Sequence, residues 1–172
     1  MKHLVHLALI ILLLSSTTNA WGQEMLKVGD SAPDFKAKDF NGQSIDTKAL
    51  RAEGPLVLVF LRGFGCPYSR KHLGQMRDDY EKFIERNAKI IVVARHDPKK
   101  VKDYWTENKL PYIGIPDPDA KLGDLYHQQK KLLKLGLMPA MFVVDEKGKI
   151  VFAHYSNGMS DIPKNETVLN KL

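Results

Sequence analysis

Three uninterrupted apolar runs constrain this chain more than any other feature: LVLVFL at residues 56–61, KIIVVA at 89–94 and AMFVV at 140–144. A run of strand length that does not alternate apolar with polar residues must be buried on both faces. Each therefore predicts a central strand of a sheet covered on both sides. Between the first two runs, Leu73, Met76, Tyr80, Phe83 and Ile84 recur at helical spacing among charged residues. That pattern predicts one long amphipathic helix from Pro67 to near Asn87. After the second run, His96-Asp97-Pro98 opens a helix over 99–108, with Val101, Tyr104 and Trp105 on one face. Strands alternating with helices give the α/β class, with right-handed crossovers.

The remaining segments complete the pattern. Asn41-Gly42 is a strong hairpin turn joining residues 34–40 to 43–45. Residues 46–51 hold one helical turn, 110–116 are extended, and 117–126 turn into a short helix. The turn Glu146-Lys147-Gly148-Lys149 sends Ile150 to His154 back beside the third run, so these two strands are antiparallel and the sheet is mixed. Residues 165–172 form a terminal helix. The expected fold is α/β, a central mixed β-sheet flanked by helices with an N-terminal β-hairpin.

The chain of 172 residues suits one domain, and 44% apolar with 27% charged residues excludes global disorder. Residues 1–20 read as a signal peptide: Lys2, an apolar run from Leu4 to Leu14, and a small-x-Ala site at Thr18-Asn19-Ala20. The run is too short to span a bilayer. The folded domain is expected at 21–172, periplasmic or secreted, without stable membrane insertion once the leader is removed. The formal charge of +6 is spread along the chain, and the aromatics do not interleave with it, so no nucleic-acid partner is expected. Asp117, Asp119 and Asp124 read as turn and cap residues. No histidine or carboxylate stands at metal-ligand spacing from Cys66, and Gly63-x-Gly65 lacks the rest of a phosphate loop, so neither metal nor cofactor is expected.

Cys66 is the only cysteine, so no disulfide can form within the chain. It lies where a buried strand gives way to a helix, a place rich in unpaired backbone N–H groups. Those donors and the positive helix end favour the thiolate, which is the nucleophile. Arg62, on the entering loop, adds a second positive influence. Gly63 and Gly65 let the backbone turn sharply, and Pro67 fits the first helical position. Ser69 occupies the place that would complete a Cys-x-x-Cys pair. It could hydrogen-bond the thiolate or a bound oxidant, or simply cap the helix. His72 reads as a surface or boundary residue rather than a general base, His96 follows the second strand and could approach the site, and His154 has no obvious partner.

The segment VFLRGFGCPYSRKHL resembles the active-site segment of peroxiredoxin-like proteins of the alkyl hydroperoxide reductase C/thiol-specific antioxidant group, in particular a subgroup with the motif Arg-Gly-x-x-Cys-Pro-Tyr-Cys. The resemblance runs from about residue 29 to 172, through APDF, IPDPDAKLGDLY, PAMFVVDEKGKIVFAH and DIPKNETVLNKL. It implies a thioredoxin-like fold with a redox-active Cys66. Ser69 replaces the subgroup's second cysteine. Val59 and Gly63 stand where the family places Pro and Thr or Ser, and Pro139 stands where it places an Arg. Pro139 instead resembles the cis-proline of thioredoxins, which lets the backbone of the preceding residue, here Met138, meet a substrate.

The leading expectation is a thiol-dependent peroxidase. Cys66 attacks peroxide with Arg62 stabilising charge, Ser69, Pro67, Met138 and Pro139 border the substrate, and an external thiol or thioredoxin-like reductant restores the enzyme. Two alternatives compete: monothiol disulfide exchange on envelope proteins, and a non-catalytic thioredoxin-like binding module.

Overall fold

The computed structural model describes residues 24–131 and 136–172. The expected leader, residues 1–20, lies outside them. The elements are β1 (Lys36–Lys38), β2 (Ser44–Asp46), α1 (Thr47–Arg51), β3 (Leu56–Phe60), α2 (Pro67–Asp78), α3 (Tyr80–Ile84), β4 (Lys89–Ala94), α4 (Pro98–Asn108), β5 (Ile113–Pro116), α5 (Lys121–Leu125), β6 (Lys130–Lys131), β7 (Gly136–Leu137), β8 (Ala140–Val144), β9 (Ile150–Tyr155) and α6 (Asn165–Leu169).

Five strands form the central sheet in the order β5-β4-β3-β8-β9. β3 and β4, and β4 and β5, run parallel, whereas β8 is antiparallel to β3 and to β9. The three apolar runs are thus the three inner strands, and β3 and β8 are buried at every residue. Their side chains divide between two cores. Val57, Val59 and Leu61 pack with Leu73 and Met76 of α2, Trp105 of α4 and Val168 of α6. Leu56, Leu58 and Phe60 pack on the other side with Phe35, Ile45, Tyr126 and Ile150.

Two elements differ from expectation. The helix predicted to reach Asn87 breaks at Asp79, whose backbone (φ −97, ψ 8) leaves the helical region. The break is held from afar. Asn165, at the start of α6, donates from Nδ2 to the Gln75 carbonyl at 2.9 Å and to Asp79 Oδ2 at 2.8 Å. Nearby, the buried Tyr112 hydroxyl donates to the Leu73 carbonyl at 2.7 Å. The second difference is a small antiparallel ribbon, β6 with β7, just before β8. Elsewhere the sequence chemistry explains the local structure. Gly42 takes φ +83 in the hairpin turn, and Asp46 caps α1 by accepting from the Lys48 and Ala49 amides.

Candidate active site

The chain leaves the sheet at the end of β3 with one further ladder bond, Leu61 N–H to the Val93 carbonyl at 3.0 Å. Arg62 follows, half-buried. Gly63 then adopts φ +141, a conformation that favours glycine, and its carbonyl accepts from the Cys66 amide at 3.2 Å. That bond closes a turn over 63–66. Cys66 is the N-cap of α2, with extended backbone (φ −85, ψ 118), and its carbonyl starts the helix by accepting from Arg70 N–H at 3.1 Å. Pro67 takes the first helical position, where its missing N–H costs nothing. The Cys66 side chain makes no capping bond to α2, and the residue is 7% exposed. The largely buried Cys66 therefore sits at a donor-rich helix start.

The turn is anchored laterally. Phe64 N–H donates to Nε2 of His96 at 3.1 Å, so that nitrogen carries a lone pair and the imidazole is neutral. The Phe64 ring lies between His96, 4.4 Å from it, and Tyr104 of α4, 4.2 Å away and nearly parallel. His96 does approach the site. Burial is the main influence holding its pKa below the ordinary histidine value; Lys100 adds to this and Asp97 opposes it.

Gln128, which no sequence motif singles out, braces the other side. Its Nε2 donates to the carbonyls of Leu61 and Met138, each at 3.0 Å. Met138 N–H in turn donates to the Gln129 carbonyl at 2.8 Å. The segments before Arg62 and before Pro139 are thus tied through one amide. The likeness of Pro139 to the cis-proline of thioredoxins does not extend to its peptide bond. Every described peptide bond is trans, and both backbone polar groups of Met138 are already engaged within the fold.

The AhpC/TSA family model matches residues 28–153, which include β3, the Cys66 turn, α2 and the inner sheet. The chain belongs to the AhpC/TSA family. By class it is a thiol-dependent oxidoreductase of peroxidase type. It is 27% identical over 132 residues to the thiol-disulfide oxidoreductase ResA of Bacillus cereus, covering 75% of this chain and 70% of that protein. It is 30% identical over 138 residues to chloroplastic peroxiredoxin Q of Arabidopsis thaliana, covering 75% and 59%. Among solved structures, peroxidoxin BcpB of Mycobacterium tuberculosis superposes with a TM-score of 0.75 at 22% identity, covering 86% of this chain and 96% of that one. The thioredoxin-like fold expected from the sequence is the fold found.

The AhpC/TSA member described here departs from its family at positions whose surroundings are now visible. Val59, in place of proline, is paired in register with Val92 on one side and Met141 on the other, a central position where proline would remove a ladder donor. Ser69 is 1% exposed, and its Oγ has no hydrogen-bond partner. It neither caps α2 nor bonds Cys66. His72 is not at the surface: it is 3% exposed, its Nε2 lacks a partner, and burial pushes its pKa down to about 4. Both residues share the inward face of α2 with Leu73 and Met76. His154 does find a partner, with Nε2 3.1 Å from Asp161 Oδ1. Asp117 acts as a cap, its Oδ2 accepting from the Leu122 and Gly123 amides.

Proposed function

We propose that this AhpC/TSA protein reduces small peroxides with Cys66 and is restored by an external thiol. The observation that carries the reading is the 7% exposure of Cys66 at the start of α2. A peroxide reaches a recessed sulfur more readily than does the sulfur–sulfur bond of a folded protein, which needs a wider in-line approach. The engaged backbone of Met138 supports the same choice, since it offers no free edge to an extended peptide.

In the proposed reaction the Cys66 thiolate attacks one peroxide oxygen. An S–O bond forms, the O–O bond breaks, and the departing hydroxide or alkoxide takes up a proton. Sulfur is oxidised to a sulfenic acid and the peroxide is reduced to water or alcohol. Arg62 and the first-turn amides of α2 stabilise the negative charge that moves onto the leaving oxygen. With no second cysteine in the chain, a small thiol or a thioredoxin-like protein condenses with the sulfenic acid, releasing water and leaving a mixed disulfide. A second thiol attacks that disulfide and returns Cys66 to its reduced form. Pro67 and Ser69 border the reacting sulfur.

Peroxide consumption with a thiol reductant, compared between the protein and Cys66→Ser, tests this reading. Loss of activity in the variant is expected, and equal rates would overturn it. The Cys-x-x-Ser arrangement and the similarity to ResA favour a second reading, monothiol disulfide exchange on envelope proteins. Stable mixed disulfides trapped from cells, with no peroxide consumption, would select it. Export, inferred from residues 1–20, belongs to the same proposal. Fractionation of cells expressing the full chain tests it, with retention of an unshortened chain in the cytoplasm as the opposing result.

A further inference from the structure

We infer that His96 is a positioning residue for Cys66: through the lone pair on Nε2 it holds the 63–66 turn that sets the sulfur at the start of α2. The inference rests on the reading of Cys66 as the redox sulfur. Its basis is geometric. The turn contains two glycines around Phe64, and glycine gives a backbone little conformational preference of its own. Within it, the bond from Cys66 N–H to the Gly63 carbonyl closes the loop on itself. The bond from Phe64 N–H to His96 Nε2 fastens it to the segment after β4, a rigid inner strand. His96 is itself fixed. Its amide donates to the Ala94 carbonyl at 2.7 Å, and its ring stacks on Phe64, which Tyr104 covers from the other side.

His96 also lies beside Gly63. A Cβ on that residue would meet His96 Nε2 at 3.4 Å, ordinary van der Waals contact, so the ring stands next to the backbone that it holds. Because the ring nitrogen is an acceptor here, a protonated imidazole cannot make the bond. Both of its nitrogens would be donors, and one would face the Phe64 amide. The charged groups acting on the ring are Lys100, which opposes its protonation, and Asp97, which favours it. Arg62 and Cys66 flank the turn it holds. As pH falls below the ordinary histidine range, the turn loses its acceptor, and Cys66 loses its fixed placement.

The test uses the full chain and compares the wild type with His96→Gln and His96→Phe. Glutamine keeps an acceptor and does not titrate; phenylalanine keeps an aromatic ring against Phe64 and removes the acceptor. Rates of Cys66 with hydrogen peroxide and with iodoacetamide are measured between about pH 5 and about pH 8, a span that brackets histidine titration. Each rate is divided by that of His96→Gln, which cancels the titration of the thiol. His96→Phe is expected to be slower by about three- to tenfold at every pH, the effect of one lost hydrogen bond. The wild type is expected to match His96→Gln near neutral pH and fall toward His96→Phe in acid.

Nitrogen NMR of the wild type supplies a readout independent of any variant's folding. An unprotonated Nε2 at neutral pH is expected. A protonated Nε2 there, or a His96→Phe rate equal to wild type with both reagents, would overturn the inference. If the wild type consumes no peroxide but the iodoacetamide ratios behave as described, the peroxide reading fails and the role of His96 stands.

Discussion

The side-chain amide of Gln128 stands 3.0 Å from the Met138 carbonyl and, with its second proton, 3.0 Å from that of Leu61. One residue thereby couples the strand that leads into Cys66 with the strand that begins after Pro139. Gln128→Leu deletes both donors and leaves two carbonyls facing an apolar group. An unpaired buried polar group costs about 1–3 kcal/mol, so a loss of that order is expected in urea unfolding. Peroxide reduction is expected to slow in parallel, because the segment carrying Arg62 loses its brace. Unchanged stability together with an unchanged rate would remove Gln128 from the site.

Ser69 lies one turn beyond Cys66 with its hydroxyl buried and unpartnered. Ser69→Ala discards that hydroxyl and is expected to leave stability equal to or above wild type, since no hydrogen bond is lost. Ser69→Cys places a second thiol about 5–6 Å away at the i, i+3 position. After peroxide treatment, the introduced thiol is expected to condense with the Cys66 sulfenic acid, and dimedone labelling should fall well below that of wild type. Mass spectrometry of the intact chain would show the two-hydrogen loss of an internal disulfide.

His72 contributes to the pH dependence of folding. Its pKa is pushed down to about 4 by burial in the folded chain, while the exposed unfolded residue titrates near the ordinary ~6.5. A depressed histidine pKa means that the unfolded chain binds the proton first. The full stability is present above the unfolded pKa and drains away as pH falls toward the folded one, by about 3 kcal/mol in all. His72→Leu is expected to flatten this slope and, at neutral pH, to be no less stable than wild type. Urea midpoints across the acid range check both points.

Gly114 of β5 faces the indole of Trp105, and a Cβ there would lie 2.5 Å from Cε2. The indole cannot retreat freely, since its Nε1 donates to the Tyr112 carbonyl at 2.8 Å. Gly114→Ala is expected to destabilise the domain by about 1–3 kcal/mol through overpacking. Calorimetry would register it as a lowered Tm, with peroxide activity at low temperature retained.

What could be read from the sequence follows from the range of each interaction. The inner strands were legible because double-sided burial writes itself as an unbroken apolar run, and Cys66 because a strand, a glycine turn and a proline mark a helix start. The break at Asp79 was not, because its anchor, Asn165, lies far along the chain on another element. Gln128 was illegible for the same reason: a glutamine in a polar turn carries no local sign of the two carbonyls that it reaches. His72 was misread although the signal existed. It adjoins Leu73 and stands four residues before Met76, on the face that those residues bury. The β6–β7 ribbon is simply too short to leave a periodicity.

The bonds from Tyr112 to Leu73 and from Asn165 to Gln75 and Asp79 clasp only the later turns of α2. Its first turn carries the exposed Pro67, Tyr68 and Arg70. Opening of this helix is therefore expected to begin at the end beside Cys66 and to stop at the clasp, an order that amide hydrogen exchange along α2 would register. In the proposed cycle, a reductant larger than peroxide would reach Cys66 by loosening that first turn alone, with the core under the later turns left packed.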